Sequence, residues 1–119
     1  MSKKKNKNGG GPPRIVSDFA RYFGENTLEN WQRLCRDIGI KKEPPSITKC
    51  REVLKSVHVN IYDLLDAVRQ GTTPQRFGNP GQLKEYSVAN RKIYPRHMAE
   101  KDKVGPVRVL LRGLFRGGW

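Results

Sequence analysis

Thiols are scarce in this 119-residue sequence: Cys35 and Cys50 are the whole set. Two cysteines cannot build a disulfide framework. No apolar stretch follows the N-terminal lysines to act as a secretory signal. A reducing, intracellular setting, nucleus or cytoplasm, is therefore expected. Long apolar runs are missing as well. The longest, residues 107–111, is interrupted by Arg108, far short of the ~20 residues a membrane span needs. Ser2 stands where N-myristoylation requires glycine. Phosphate-cradling loops are absent: neither GxxxxGK[ST] nor GxGxxG occurs, and Gly9 to Gly11 follow no strand pattern. Nucleotide hydrolysis is not expected.

The soft metal ligands are Cys35, Cys50, His58 and His97, at spacings that match no zinc pattern. Two packed core thiols are the expectation, with no metal and no cofactor. A Cys50–His58 nucleophile pair is conceivable across a helix end, but Cys50 falls on an apolar stripe that would hide it and raise its pKa. Asp63 and Asp66 share one helix face at i,i+3. Their place in the first two turns of a helix, where the dipole favours acids, explains them without catalysis. The sequence is not expected to be an enzyme.

Acids are the other shortage. Eleven Asp plus Glu face 24 Lys plus Arg, a formal charge of +13. The excess is uneven. Residues 1–14 carry Lys3, Lys4, Lys5, Lys7 and Arg14 with no acid; residues 15–83 carry ten basic and eight acidic side chains; residues 84–119 carry nine basic and three acidic. A nearly balanced middle with cationic ends is the pattern of a folded core with basic arms. Residues 1–14, rich in Lys, Asn, Gly and Pro, cannot bury apolar surface and are expected to form a disordered tail.

Helical periodicity dominates the rest. Ser17 opens a short segment with Phe19, Tyr22 and Phe23 at helical spacing, stopped by Gly24. Thr27 caps a helix over 28–38 whose stripe is Leu28, Trp31, Leu34, Cys35 and Ile38, with Gly39 closing it. Glu29, Arg33 and Asp37 pair at i,i+4 on the opposite face, which reads as solvated. Ser46 caps 47–57, with Ile47, Cys50, Val53, Leu54 and Val57 inward. Asn60 caps 61–70, with Ile61, Leu64, Leu65 and Val68 inward. Residues 71–81 read as a loop. Asn79 and Pro80 resemble an N-cap and N1 pair, and a helix over 82–92 follows. Residues 95–105 read as a polar linker, and Pro106 opens a helix to about 116. Strand signals are weak: residues 57–61 and 107–111 alternate at period two, and both also fit helical context. The expected fold is all-α. It consists of a small bundle of four to five short helices over 15–94, the tail before it, and a basic amphipathic segment over 106–119.

The runs SDFARYFGENTLENWQRLCRDIGI and SITKCREVLKSVHVNIYDLLDAV, with the endings KIYP and GPVRVLLRGLF, resemble small uncharacterised proteins of filamentous fungi. The resemblance spans about 17–115. It implies no activity and no binding residue.

Basic surfaces remain as the feature that asks for a partner. Lys49, Arg51 and Lys55 form a face of the 47–57 helix with Glu52 its only acid. Arg108, Arg112 and Arg116, at i, i+4 and i+8, form a cationic stripe opposite Val107, Leu110, Leu111, Leu114 and Phe115. These six residues and Lys3, Lys4, Lys5 and Lys7 are the candidate nucleic-acid contacts. Arg suits bidentate phosphate contact and base stacking, a single Arg-Gly-Gly unit stands at 116–118, and Tyr86, Tyr94 and Trp119 are candidates for stacking. The connector 40–45 is longer than the three to four residues of a helix-turn-helix, so base-specific readout is not expected. The expected function is a non-enzymatic basic module contacting nucleic acid or ribonucleoprotein through phosphates. The alternative is a protein-interaction module that offers the apolar face of the C-terminal helix to an acidic partner. Docking on the chain's own core is the favoured reading of that face, with a partner groove or an anionic membrane surface as the others.

Overall fold

The computed structural model describes residues 13–102 and 105–111. The tail read over 1–14 lies outside them except for Pro13 and Arg14. Seven helices occur among the described residues: α1 (Arg14–Phe23), α2 (Leu28–Ile38), α3 (Ile47–Leu54), α4 (Ile61–Gln70), α5 (Pro80–Ala89), α6 (Arg96–Glu100) and α7 (Pro106–Leu111). Two two-residue strands, β1 (His58–Val59) and β2 (Arg76–Phe77), pair antiparallel with His58 opposite Phe77 and Val59 opposite Arg76. The protein is mostly helical, as the periodicity implies.

Local chemistry sets the helix starts. The side chains of Thr27, Ser46, Asn60 and Asn79 each accept from the backbone N–H three residues on, at 3.2, 3.1, 3.2 and 2.9 Å. Each cap satisfies one of the donors a helix N-terminus leaves orphaned. Pro80 occupies the first turn of α5, where its missing N–H costs nothing. Gly39, at φ 103°, and Gly71, at φ 72°, end α2 and α4 in the left-handed region. Asn60 does more than cap. It is 2% exposed, and its amide donates to Ser87 Oγ (2.9 Å) and to the Lys92 carbonyl (3.0 Å), tying the start of α4 to the end of α5.

One core runs through the described residues. Phe19 and Phe23 of α1, Trp31, Leu34 and Ile38 of α2, Cys50 and Leu54 of α3, and Leu64 of α4 meet in it. Val59 comes from β1, and Val107, Leu110 and Leu111 from α7. Phe23 meets Trp31 edge to face with ring centroids 5.3 Å apart. The helix α7 packs against α3, α6 and β1. Of its six residues only Arg108 is exposed. Asp102 Oδ2 accepts from the Val107 (2.7 Å) and Arg108 (3.3 Å) backbone N–H groups, placing a carboxylate at the positive end of this helix.

Four expectations change. First, residues 95–105 are not a plain linker: α6 lies within them, and Ala99 and Gly105 are buried. Proline opens helices as well as ending them, and one buried alanine leaves no stripe to detect. Second, α1 begins at Arg14, so this residue belongs to the fold rather than to a tail. Third, helix bounds shift: α3 ends at Leu54 and α5 starts at Pro80. Fourth, the polar face of α2 is not a solvated surface. Arg33 donates to the Tyr22 and Phe23 carbonyls at the C-terminus of α1, and its guanidinium lies 4.9 Å from the Tyr22 ring centroid. Tyr22 in turn donates to Asp37. Arg33 and Asp37 thus clamp α1 to α2.

Candidate nucleic-acid interface

The cations nominated from sequence have separate fates. Lys3, Lys4, Lys5, Lys7, Arg112 and Arg116 lie outside the described residues. Lys49 is exposed and stands 3.5 Å from Glu52 within α3, an i,i+3 pair. Arg51 is half-buried: its guanidinium carbon sits 5.0 Å from the Trp31 ring centroid. It also packs against Gly105, where an added Cβ would lie 2.9 Å from an Arg51 terminal nitrogen. Arg51 therefore fills the junction of α2, α3 and α7. Lys55 is exposed at the C-terminal cap of α3, and Arg108 is exposed on α7. Since α3 and α7 pack together, Lys49, Lys55 and Arg108 ride on neighbouring helices.

A second group of cations converges where spacing alone did not place one. Asp18 of α1 has three arginines within ion-pair distance: Arg14 (3.5 Å), Arg21 (3.6 Å) and, from α4, Arg69 (3.7 Å). Arg69 also pairs with Asp66 at 3.2 Å. The Arg14 and Arg21 side chains are 90% and 80% exposed, whereas Asp18 is 18% exposed. An open cavity of about 470 Å³ lies between α1 and α4, lined by Arg14, Asp18, Tyr62, Asp66, Arg69 and Lys92 among others. Lys92 is held at its edge by Asp63 (2.7 Å) and the Tyr86 hydroxyl (3.2 Å). The hydrogen bond to Asp63 is the main cause that raises the Lys92 pKa and keeps it charged. The Arg14, Asp18 and Arg21 spacing is legible in sequence. The arrival of Arg69 is a tertiary fact.

The groups that the sequence offers for catalysis or stacking are buried or engaged at several positions. Cys35 and Cys50 are 1% and 0% exposed, free thiols in the core that act on each other's protonation. Burial pushes the Cys35 thiol up to about 12 and raises Cys50 as well, so neither is a ready thiolate. Asp63 and Asp66 are engaged by Lys92 and Arg69. Tyr94, a candidate for base stacking, is 5% exposed and belongs to the core. Tyr86 packs on Phe77 with centroids 4.9 Å apart, and Trp119 lies outside the described residues. Among the described residues no group of three or more His, Cys, Asp or Glu could hold a metal, and no helix is long and apolar enough to cross a membrane.

No protein-family model matches the chain, and neither a curated protein nor a solved structure does.

Proposed function

We propose that this chain is a non-enzymatic, basic helical module that contacts nucleic acid or ribonucleoprotein mainly through phosphates, inside the cell. The observation that carries the reading is the placement of charge. Residues 1–14 hold five cations and no acid, and residues 84–119 hold nine cations against three acids. Among the described cations, Arg14, Arg21, Lys49, Lys55 and Arg108 are exposed. A polyanion releases condensed counterions as such cations replace them, so affinity for it falls steeply with salt. The test is affinity for single-stranded and duplex DNA and RNA across a salt series. Binding with a log–log salt slope of several units is the expected result. Micromolar or weaker binding that stays flat with salt overturns the reading.

A second reading, docking of an acidic protein, cannot use Val107, Leu110 and Leu111 of the C-terminal apolar face, which are buried in the core, and Leu114 and Phe115 lie outside the described residues. An apolar groove of about 230 Å³ between α1, α6 and α7, lined by Phe19, Phe23, Met98 and Val107 with Lys101 and Asp102 among its walls, offers an apolar segment of such a partner a place to dock instead. Pull-down of protein that survives nuclease treatment and fails on a Met98→Glu change would select this second reading.

A further inference from the structure

Acids and cations balance along most of the fold. Helices α2, α5 and α6 each carry as many acids as Lys and Arg, and α1 with α4 sets Arg14, Arg21 and Arg69 against Asp18, Asp63 and Asp66. The group formed by α3 with its Lys55 cap, β1, β2 and α7 differs. It carries Lys49, Arg51, Lys55, Arg76 and Arg108 against Glu52 alone. Asp102 stands just before α7, but its carboxylate is turned to that helix's own N–H groups. The group is contiguous. β1 follows Lys55 by three residues, β2 pairs with it so that Arg76 lies opposite Val59, and α7 packs against both α3 and β1. Arg51 of α3 touches Gly105, whose carbonyl accepts the Val109 N–H (2.9 Å) and so opens α7. Lys55 and Arg108 each stand about one helical turn, ~5 Å of rise, from that contact. Lys55, Arg76 and Arg108 are exposed, and none has an ion pair, side-chain hydrogen bond or ring contact among the described residues. A cation beside a carboxylate offers a polyanion little net charge, so Arg14, Arg21 and Lys49, at 3.5, 3.6 and 3.5 Å from an acid, are discounted alike. No aromatic residue of the group is exposed: Phe77 packs on Tyr86 with centroids 4.9 Å apart, and Trp31 beneath Arg51 is fully buried.

We propose that Lys55, Arg76 and Arg108 form the phosphate-contacting face, and that the polyanion it fits is a double helix held by its backbone. The face rests on the nucleic-acid reading above and gives it a location and a form of partner. Single strands are held by rings on which bases stack as well as by charge, and this face offers charge without a free ring. A duplex carries one phosphate charge per ~1.7 Å of axis, about twice the density of one strand, and holds those charges at fixed spacing. Cations carried on packed elements meet such an array without first ordering a flexible strand. Phosphate contacts carry no sequence information, so duplex RNA and duplex DNA share the chemistry that the face recognises. Arg76 enters the face only through the pairing of β2 with β1.

The experiment compares the full chain with K55Q/R76Q/R108Q and with R14Q/R21Q/R91Q, which removes as much charge from exposed positions on α1 and just after α5. Fluorescent duplexes of RNA and of DNA, and the single strands that compose them, are titrated over a salt series. Circular dichroism and thermal melting check that each variant is folded, and Arg76→Gln and Arg108→Gln alone repeat the test with the least disturbance. Loss of three phosphate contacts lowers the log–log salt slope for duplex by about 2 to 3 in K55Q/R76Q/R108Q, and loss of one lowers it by about 1 in each single variant. The slope falls by less in R14Q/R21Q/R91Q, and the wild-type chain binds duplexes more tightly than their strands. A wild-type chain with no salt-dependent binding to any probe overturns the nucleic-acid reading and this inference with it. Wild-type binding whose slope falls equally in the two triple variants, or that favours single strands, overturns this inference alone.

Discussion

The Arg51 guanidinium lies 5.0 Å from the Trp31 ring centroid and against Gly105, so a cation that helical spacing assigns to a binding face is part of the packing instead. Trp31 is fully buried and leaves no water-facing π surface to spare. Its indole N–H is bonded to Asn26 Oδ1 at 2.8 Å. A guanidinium over a desolvated tryptophan contributes ~0.5–2 kcal/mol, and its apolar stem adds packing. Arg51→Gln is therefore expected to lower unfolding free energy by about 1–2 kcal/mol while leaving the salt slope of nucleic-acid binding unchanged. Urea unfolding and a salt series on one preparation measure both. A reduced slope with intact stability would return Arg51 to the interface.

Asn60 joins α4 to α5 through one side chain. Its oxygen caps the Asp63 N–H, and its amide nitrogen reaches Ser87 Oγ and the Lys92 carbonyl. Asn60→Ala removes the cap, worth ~1 kcal/mol, and strands buried polar partners at ~1–3 kcal/mol. A total loss of about 2–4 kcal/mol is expected. Asn60→Asp keeps the cap and loses the donors, so it should lie near the alanine variant rather than near wild type. Denaturant midpoints for the two variants decide the matter; a neutral Asn60→Asp would show that the donors contribute nothing.

Alkali should unfold the protein before the chain's arginines matter. Burial raises the Tyr94 phenol from 10.0 to about 12 and the Cys35 thiol from 9.0 to about 12. Tyr22 and Tyr62 shift up by burial too, and Lys92 shifts up through Asp63. Every one of these groups holds its proton more tightly in the fold than in the unfolded chain. Their contribution is complete below pH 9, where the unfolded thiol still keeps its proton, and drains away as pH rises toward about 12. Each group that differs takes away up to ~1.4 kcal/mol per pH unit inside its window. Urea midpoints measured across this range should fall, and Tyr94→Phe should flatten the fall. A stability constant from pH 9 upward would contradict it.

Local chemistry was legible in the sequence, and long-range partnership was not. Thr27, Ser46, Asn60 and Asn79 announce helix starts because a cap needs only a short side chain and the next turn. The stripes of α2 and α4 announce core faces for the same reason. Arg33 looks solvated from spacing, because a cation at i,i+4 from an acid satisfies a surface rule, and Arg51 looks available because it falls outside the apolar stripe of its helix. The Tyr22 and Phe23 carbonyls and the Trp31 ring that claim them lie on other helices. The helix α6 spans five residues and β1 and β2 two each, too few for any period to register. At the α1–α4 face, Arg14, Asp18 and Arg21 are readable as one helix edge. Arg69 joins them only because α4 packs on α1.

The helix α7 separates charge from packing more sharply than any other element. Leu110 is 2% exposed and packs into the shared core, while Arg108, two residues away, faces solvent. Leu110→Ala removes apolar contact and leaves a void, at ~2–5 kcal/mol. That is a large part of the ~5–15 kcal/mol of a typical domain. Arg108→Glu leaves stability within ~0.5 kcal/mol, as surface changes do, and weakens polyanion binding by reversing one charge. Deleting residues 104–119 takes Val107, Val109, Leu110 and Leu111 from the core and is expected to unfold the chain. Lost binding after that deletion would therefore say nothing about an interface. Thermal melting of Leu110→Ala, Arg108→Glu and the deletion distinguishes these effects. An unshifted melt for Leu110→Ala, or a deleted chain that still folds cooperatively, would show that α7 lies on the core without supporting it.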